Sequence, residues 1–369
     1  MLIPFAALPQ GRCHMNARTV MLTGVGGGGH GEQILKALRL APEPYTIVGG
    51  DMSRHAKGLA EVDYAYVLPP ANDPDYLPTI FGLCRRHDAA TLIHGSEPEL
   101  RVMSARRQDI QGAGLFLPIN PAEVIDLCMD KVKTAEALQS HGFNAPAFCH
   151  ARSLDEIVAF DRLPVVIKPS RGGGGSANVF LAQTRDQLQT FGSYVLSQSD
   201  GCIVQEYVGT PDQEYTVGVL LSMDGELLNS IAVKREILSS LSNRLKVRNL
   251  THRADLGPVL AISNGISQGT IGRFPEVTEP CERIAVALGC RGPVNIQCRL
   301  VDGRVSVFEI NPRFSGTTSL RALVGYNEPD VLIRRHLLGE RIEPQFAYGS
   351  GVIARGLTEM LMDGVNASG

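Results

Sequence analysis

Residues 293–321 read PVNIQCRLVDGRVSVFEINPRFSGTTSLR, and within them the runs VNIQCRL and RVSVFEINP flank a turn at Val301-Asp302-Gly303. Both runs read as β-strands. Side chains alternate across a strand, so Glu309 and Asn311 share one face and Phe308 and Ile310 the other. Register decides whether Gln297 joins the polar face. A two-residue Asp302-Gly303 turn sets Gln297 opposite Phe308 and Ile296 against Glu309, which mixes the faces. A three-residue loop with Gly303 in a left-handed bulge pairs Ile296 with Phe308 and Val294 with Ile310, and this register sorts both faces. It is the expected one, and it sets Gln297 beside Glu309 and Asn311 with Arg313 just beyond. One carboxylate and neutral amide oxygens suit a hard cation such as Mg²⁺, which keeps waters and binds substrate phosphates. The plainer alternative is a solvated strand face.

Composition bounds what the rest of the chain can be. At 369 residues it is long enough for two or three domains with real cores. Hydrophobic residues make up 44% and charged residues 20%, the balance of a folded protein. A formal net charge of −3 gives no reason to expect nucleic acid or an anionic membrane as partner. No apolar run reaches the length of a membrane span. The eight cysteines are scattered singly without a CxxC pair, so neither a disulfide framework nor a zinc site is indicated, and a cytoplasmic location is expected. Residues 1–17 read as a disordered tail.

Upstream of the hairpin, the strand RTVMLTG (18–24) feeds GVGGGGHGEQILKALRL, a glycine turn followed by a helical pattern, as at the start of a doubly wound α/β domain. TIVGGDMS, YAYVLPP, ATLIHGSEPE and LFLPIN supply further strand candidates. Gly24, Gly26 and Gly29 nearly make a dinucleotide fingerprint, though tight turns and close helix packing account for such glycines equally well. The strand PVVIKPS (164–170) runs into RGGGGS. Consecutive glycines leave backbone N–H groups free to close over phosphates, with Lys168 as a point charge; a flexible hairpin tip is the alternative. CIVQEYV and EYTVGVLL read as strands whose ends could hold an adenine ring, with Glu206 near its amine and Glu214 near ribose hydroxyls. Residues 237–263 look irregular and basic. Basic runs are usually solvated faces, but beside a magnesium site this one could attract an anionic substrate.

In order along the chain, MDK (129–131), VVIKPSRGGGGS (165–176), IVQEYV (203–208), EYTVGV (214–219), VNIQ (294–297) and FEINPRFSGTTSL (308–320) resemble the ATP-grasp superfamily. The resembling branch is that of the carbamoyl phosphate synthase large subunit. The resemblance implies an α/β plus α+β architecture. A Rossmann-like pre-ATP-grasp domain would span 18–120, a small subdomain with a glycine-rich lid 121–203, and a large subdomain with the metal site 204–369. It assigns Lys131 and Lys168 to the nucleotide phosphates, Lys168 with a catalytic part, and Gly172, Gly173, Gly174, Gly175 and Ser176 to the lid, with Arg171 as its anchor. Gln205, Glu206, Tyr207 and Val208 become the adenine hinge, and Glu214 the ribose ligand. Gln297, Glu309 and Asn311 become ligands for two Mg²⁺ ions, with Mn²⁺ as a substitute, and Arg313 the residue that steadies the transferred phosphoryl group. The implied activity is ATP-dependent ligation of a small-molecule carboxylate to an amine through an acyl-phosphate, with a homodimer compatible. A carboxylate or carbamate kinase without an amine acceptor, and an inactive ATP-binding regulatory module, are the alternatives.

Overall fold

The computed structural model of the chain describes residues 16–172 and 178–359. Strand and helix alternate first: β1 (Asn16–Thr23), α1 (His30–Arg39), β2 (Thr46–Asp51), β3 (Tyr64–Val67), α2 (Tyr76–Arg86), β4 (Ala89–Ile93), α3 (Glu97–Ala105) and α4 (Arg107–Gly112). The strands form a parallel sheet in the order β3-β2-β1-β4. The order reverses between β1 and β4, and open α/β sheets bind ligands outside the carboxyl ends of strands at such a point. The backbones following those two strands touch there, with Gly31 N–H donating to Gly95 O at 3.3 Å. A Cβ on Gly31 would strike the Gly24 carbonyl, so this glycine serves close helix packing. Asp51, the acidic residue of the near-fingerprint, accepts from Gly26 N–H at 2.9 Å and holds the turn. LFLPIN is not a strand: Phe116 makes a single bridge to Thr91 before Pro118 ends the pairing.

The next segment carries α5 (Ala122–Cys128), α6 (Lys131–Ser140), β5 (Phe148–Ala151), α7 (Leu154–Ala159), β6 (Val165–Pro169), β7 (Phe180–Ala182), α8 (Arg185–Gln198) and β8 (Cys202–Glu206). Its antiparallel sheet, in the order β5-β8-β6-β7, encloses its own core around Ile157, Ile167, Leu188 and Val195. Of the expected lid, Gly172 is described, whereas Gly173, Gly174, Gly175 and Ser176 lie outside the described residues.

The remainder comprises β9 (Glu214–Leu221), β10 (Leu227–Arg235), β11 (Asn243–Arg248), β12 (Val259–Ser263), β13 (Gly269–Gly272), α9 (Pro275–Ala287), β14 (Pro293–Val301), β15 (Arg304–Asn311), α10 (Thr318–Leu323), α11 (Glu328–His336) and β16 (Gly351–Ile353). Its large sheet runs β15-β14-β9-β10-β13-β16 among the described residues. Every residue of β9 is buried because both faces of the sheet are covered. Val217 and Val219 join a core with α5 and α9, while Leu220 joins one that reaches Val20 and Leu35 of the N-terminal unit. Tyr45 Oη also donates to Asp330 Oδ1 at 2.9 Å, tying that unit to α11. The segment expected to be irregular instead forms the β11–β12 hairpin. Leu245 and Val247 pack inward against Tyr207, Leu256 and Leu260, while Arg244, Lys246 and Arg248 alternate outward into solvent.

The β14–β15 hairpin departs from the expected register. Val301 pairs with Arg304 across a two-residue Asp302-Gly303 turn whose φ angles of 48° and 73° are both left-handed, the primed turn that matches strand twist. A bulge then shifts the pairing: Cys298 faces Val307, but Gln297 faces Glu309, Ile296 faces Ile310 and Asn295 faces Asn311. The extra residue is Phe308. The bulge brings Gln297 against Glu309, which the longer loop was expected to do, and it turns the Phe308 ring into the cleft instead of away from it.

Candidate active site

An open space of about 750 Å³ lies between the small sheet and the large one. Val166, Val179 and Ile262 line one end, and Lys131, Lys168 and Glu309 the other. Apolar side chains at one end and two lysines at the other offer partners for both a base and its phosphates. Gln205, Glu206, Tyr207, Val208, Glu214 and Gln297 also line it, so the cleft gathers most of the residues singled out from sequence.

At the charged end, Lys168 projects from β6 and its Nζ donates to Phe308 O at 3.1 Å, with the Phe308 ring 6.0 Å away. Burial pushes its ammonium down to about 8, opposed by the Glu309 charge and helped by Lys131. Lys131 opens α6 and its Nζ donates to Gly172 O at 2.8 Å. The cap of α6 is Asp130: Oδ1 accepts from Val132 N–H and Lys133 N–H, and Oδ2 from Arg171 Nε at 2.8 Å. Burial alone would push this carboxyl up, but the Arg171 hydrogen bond and the helix N–H groups hold it below the usual range. One aspartate therefore fixes both the helix that presents Lys131 and the arginine at the root of the glycine loop.

At the apolar end, Glu206 is clamped by Arg162 at 2.9 Å and Arg253 at 2.8 Å. The Tyr207 hydroxyl spans Ala261, donating to its O and accepting from its N–H. Glu214 is buried between two arginines, with Oε1 2.9 Å from Arg235 and Oε2 3.0 Å from Arg299. Arg299 donates further to Val208 O and Ala261 O and lies 4.3 Å from the Tyr207 ring centre. Sequence reasoning missed it, although Arg299 stands two residues beyond Gln297 and alternation places it on the same face.

On the platform, Glu309 lies opposite Gln297, and Asn311 Nδ2 is 3.4 Å from Glu309 Oε1. Among the described residues no cluster of three or more His, Cys, Asp or Glu could hold a metal. One carboxylate beside two amides is a sparse oxygen donor set, of a kind that suits a hard cation taking its remaining oxygens from water and phosphate. Arg313 donates through Nη2 to Asn311 Oδ1 at 3.0 Å and to Glu97 Oε1 at 2.8 Å, and through Nη1 to Phe314 O. Glu97 comes from the N-terminal unit, and nothing local in the sequence links it to Arg313. Burial raises its carboxyl, but the Arg313 charge and hydrogen bond outweigh this and hold it below the ordinary range.

Similarity to known proteins follows the same outline. A sequence profile described as ATP-grasp domain matches residues 128–317, and one described as PylC-like, N-terminal domain matches residues 22–117. The chain is 25% identical over 237 residues to the carbamoyl phosphate synthase large chain of Pseudothermotoga lettingae, covering 62% of this chain and 19% of that one. It is 22% identical over 259 residues to the large chain of Vibrio cholerae, covering 68% and 22%. The chain thus spans about a fifth of the length of these curated relatives. The crystal structure of an ADP complex of purK, N5-carboxyaminoimidazole ribonucleotide synthetase, superposes with a TM-score of 0.64 at 12% identity, covering 91% of this chain and 81% of that one. The L-amino acid ligase of Bacillus licheniformis gives 0.59 at 16% identity, covering 89% and 77%. The biotin carboxylase domain dimer of Hydrogenobacter thermophilus 2-oxoglutarate carboxylase, in complex with MgADP, ADP and bicarbonate, gives 0.61 at 14% identity, covering 89% and 71%.

Proposed function

Because the chain belongs to the ATP-grasp family of ligases, we propose that it joins a small-molecule carboxylate to an amine, forming an amide or peptide bond and releasing ADP and phosphate. One observation carries this reading. The cleft between the two sheets and a cavity lined by polar residues and glycine share a wall at Gln297 and Glu309, and Arg313 lines the second. A γ-phosphate held at the charged end of the first would therefore lie next to an anion held in the second.

In this reading the apolar end and the Gln205–Val208 hinge hold adenine, Glu214 serves the ribose, and Lys131 and Lys168 neutralise the phosphates. Gln297, Glu309 and Asn311 hold Mg²⁺, which when bound supplies charge neutralisation and polarises the phosphate oxygens. Segments 18–120, 121–203 and 204–369 act as three functional units, with Gly172, Gly173, Gly174, Gly175 and Ser176 assigned to the phosphates. Attack of a carboxylate on phosphorus brings two anions together, so the cationic side chains do most of the work. The carboxylate oxygen forms a bond to the γ-phosphorus, and the bond to ADP breaks with its electron pair on the β-phosphate oxygen. The amine nitrogen then adds to the acyl carbon, and phosphate leaves with the C–O electron pair. The proton shed by nitrogen passes to phosphate or water. Arg313 steadies the phosphoryl oxygens and the acyl-phosphate.

Nucleotide turnover over a matrix of carboxylates and amines tests this. ADP and phosphate should form only when both partners are present, and Glu309→Gln should remove the activity. A stable acyl-phosphate formed without amine would instead identify a kinase. Equal inactivity of wild type and Glu309→Gln over the whole matrix would mark a binding module.

A further inference from the structure

Beyond the platform lies about 600 Å³ of open space in which every lining residue is polar or glycine. Its walls are the hairpin, the segment that follows β12 at Asn264 and Gly265, the loop at Ser315 and Gly316, and Glu97 from the N-terminal unit. Binding pockets are ordinarily lined mostly by apolar side chains, so a ligand here would be recognised by charge and hydrogen bonds. The charged lining residues are Arg235, Arg313, Glu97 and Glu309. Arg235 is already committed to Glu214, Ser263 and two backbone carbonyls, and Glu309 belongs to the platform. That leaves Arg313 and Glu97, paired at 2.8 Å with side chains 13% and 25% exposed.

The surroundings of Glu97 favour an acceptor role. It opens α3 behind the Ser96 cap, where the helix N-terminus steadies a carboxylate. His94 lies beside it, and His30 beside His94, without adding positive charge, because burial and then Arg313 hold both below the usual histidine range, His94 at about 3. His94 Nδ1 is 3.2 Å from Ser96 O, so the neutral ring carries its proton on Nδ1. Its Nε2 is then a lone pair, buried and without a partner among the described residues.

Resting on the ligase reading, we propose that Glu97 is the ammonium-binding residue of this site: a substrate carboxylate displaces Glu97 from Arg313, and a substrate ammonium takes up Glu97. The exchange replaces one ion pair by two and leaves no charge stranded. The substrates are accordingly small, hydrophilic and amino-acid-like. The ammonium belongs either to the amine acceptor or to the acyl donor itself.

The test compares wild type with Glu97→Gln and Glu97→Asp in the full chain with MgATP. The twenty proteinogenic amino acids serve as donors and acceptors, their 2-hydroxy counterparts as donors lacking ammonium, and hydroxylamine as a neutral nucleophile. Loss of a charged hydrogen bond should raise the KM of the ammonium-bearing substrate in Glu97→Gln by about tenfold or more, with the KM for ATP within about twofold. Glu97→Asp should recover part of it. If the ammonium is the acceptor's, both proteins make hydroxamate equally well from donor and hydroxylamine. If it is the donor's, the KM rises for the amino acid and not for its 2-hydroxy counterpart. Equal changes for charged and neutral analogues, or no change, overturn the assignment in an otherwise active enzyme. Wild-type inactivity over the whole panel removes the ligase reading and this inference with it.

Discussion

Lys168 and Phe308 meet across the cleft, the lysine Nζ donating to the phenylalanine carbonyl at 3.1 Å. The small sheet is thereby tied to the one residue that the platform hairpin bulges out of register. With its ammonium pushed down to about 8 by burial, Lys168 sheds part of its charge in mildly basic solution. Nucleotide phosphates would restore that charge. Titration with MgADP at pH 8, in two buffers of different ionisation enthalpy, should show uptake of about half a proton, falling towards zero at about pH 6.5. Lys168→Met should abolish the uptake.

The same residue sets a sign for stability. An unfolded lysine titrates near 10.4, so between about 8 and that value the unfolded chain binds more protons than the folded one. In the free protein this group makes stability rise with pH across that window. Urea unfolding midpoints should therefore rise more with pH from 8 to 10 in wild type than in Lys168→Met.

Glu309 is the only carboxylate among the three residues proposed to hold Mg²⁺. Glu309→Gln should lower Mg²⁺-dependent ATP turnover by about a thousandfold and shift the melting temperature only a little, since glutamine still accepts from Asn311 Nδ2 and the facing Lys168 ammonium can shed its proton. Steady-state kinetics and a thermal melt read the two effects separately.

Asp130 joins α6 to Arg171. Asp130→Ala removes a helix cap and should cost about 0.5–2 kcal/mol of stability while raising the KM for ATP. Asp130→Asn keeps a capping oxygen and should recover the stability, but not the anchoring of Arg171.

Glu214 is the shared partner of two buried arginines. Glu214→Ala leaves both uncompensated and should destabilise the fold by about 3–5 kcal/mol, seen in denaturant unfolding. A residue serving ribose alone would instead raise the KM for ATP at unchanged stability.

Alternation along β15 was enough to set Glu309 and Asn311 on one face, and glycines after a lysine-bearing strand were enough to mark Lys168. The bulge at Phe308 was not legible. A strand that mixes polar and apolar residues on both faces admits several registers, and only the three-dimensional pairing selects one. The β11–β12 hairpin was hidden because its outward arginines and lysine read as a solvated face, while the inward Leu245 and Val247 are too few to stand out. The pairing of Glu97 with Arg313 lay beyond reach for a different reason. The contact is created by packing α1 of the N-terminal unit against α10 and α11, which no local pattern encodes.

The central claim is that a carboxylate oxygen attacks the γ-phosphorus. The most direct measurement supplies the carboxylate selected by the turnover matrix labelled with ¹⁸O, together with its amine and MgATP, and weighs the released phosphate. Transfer of one ¹⁸O atom to each phosphate, in step with amide formation, is the predicted result. Unlabelled phosphate, or AMP and pyrophosphate in place of ADP and phosphate, would contradict the acyl-phosphate route.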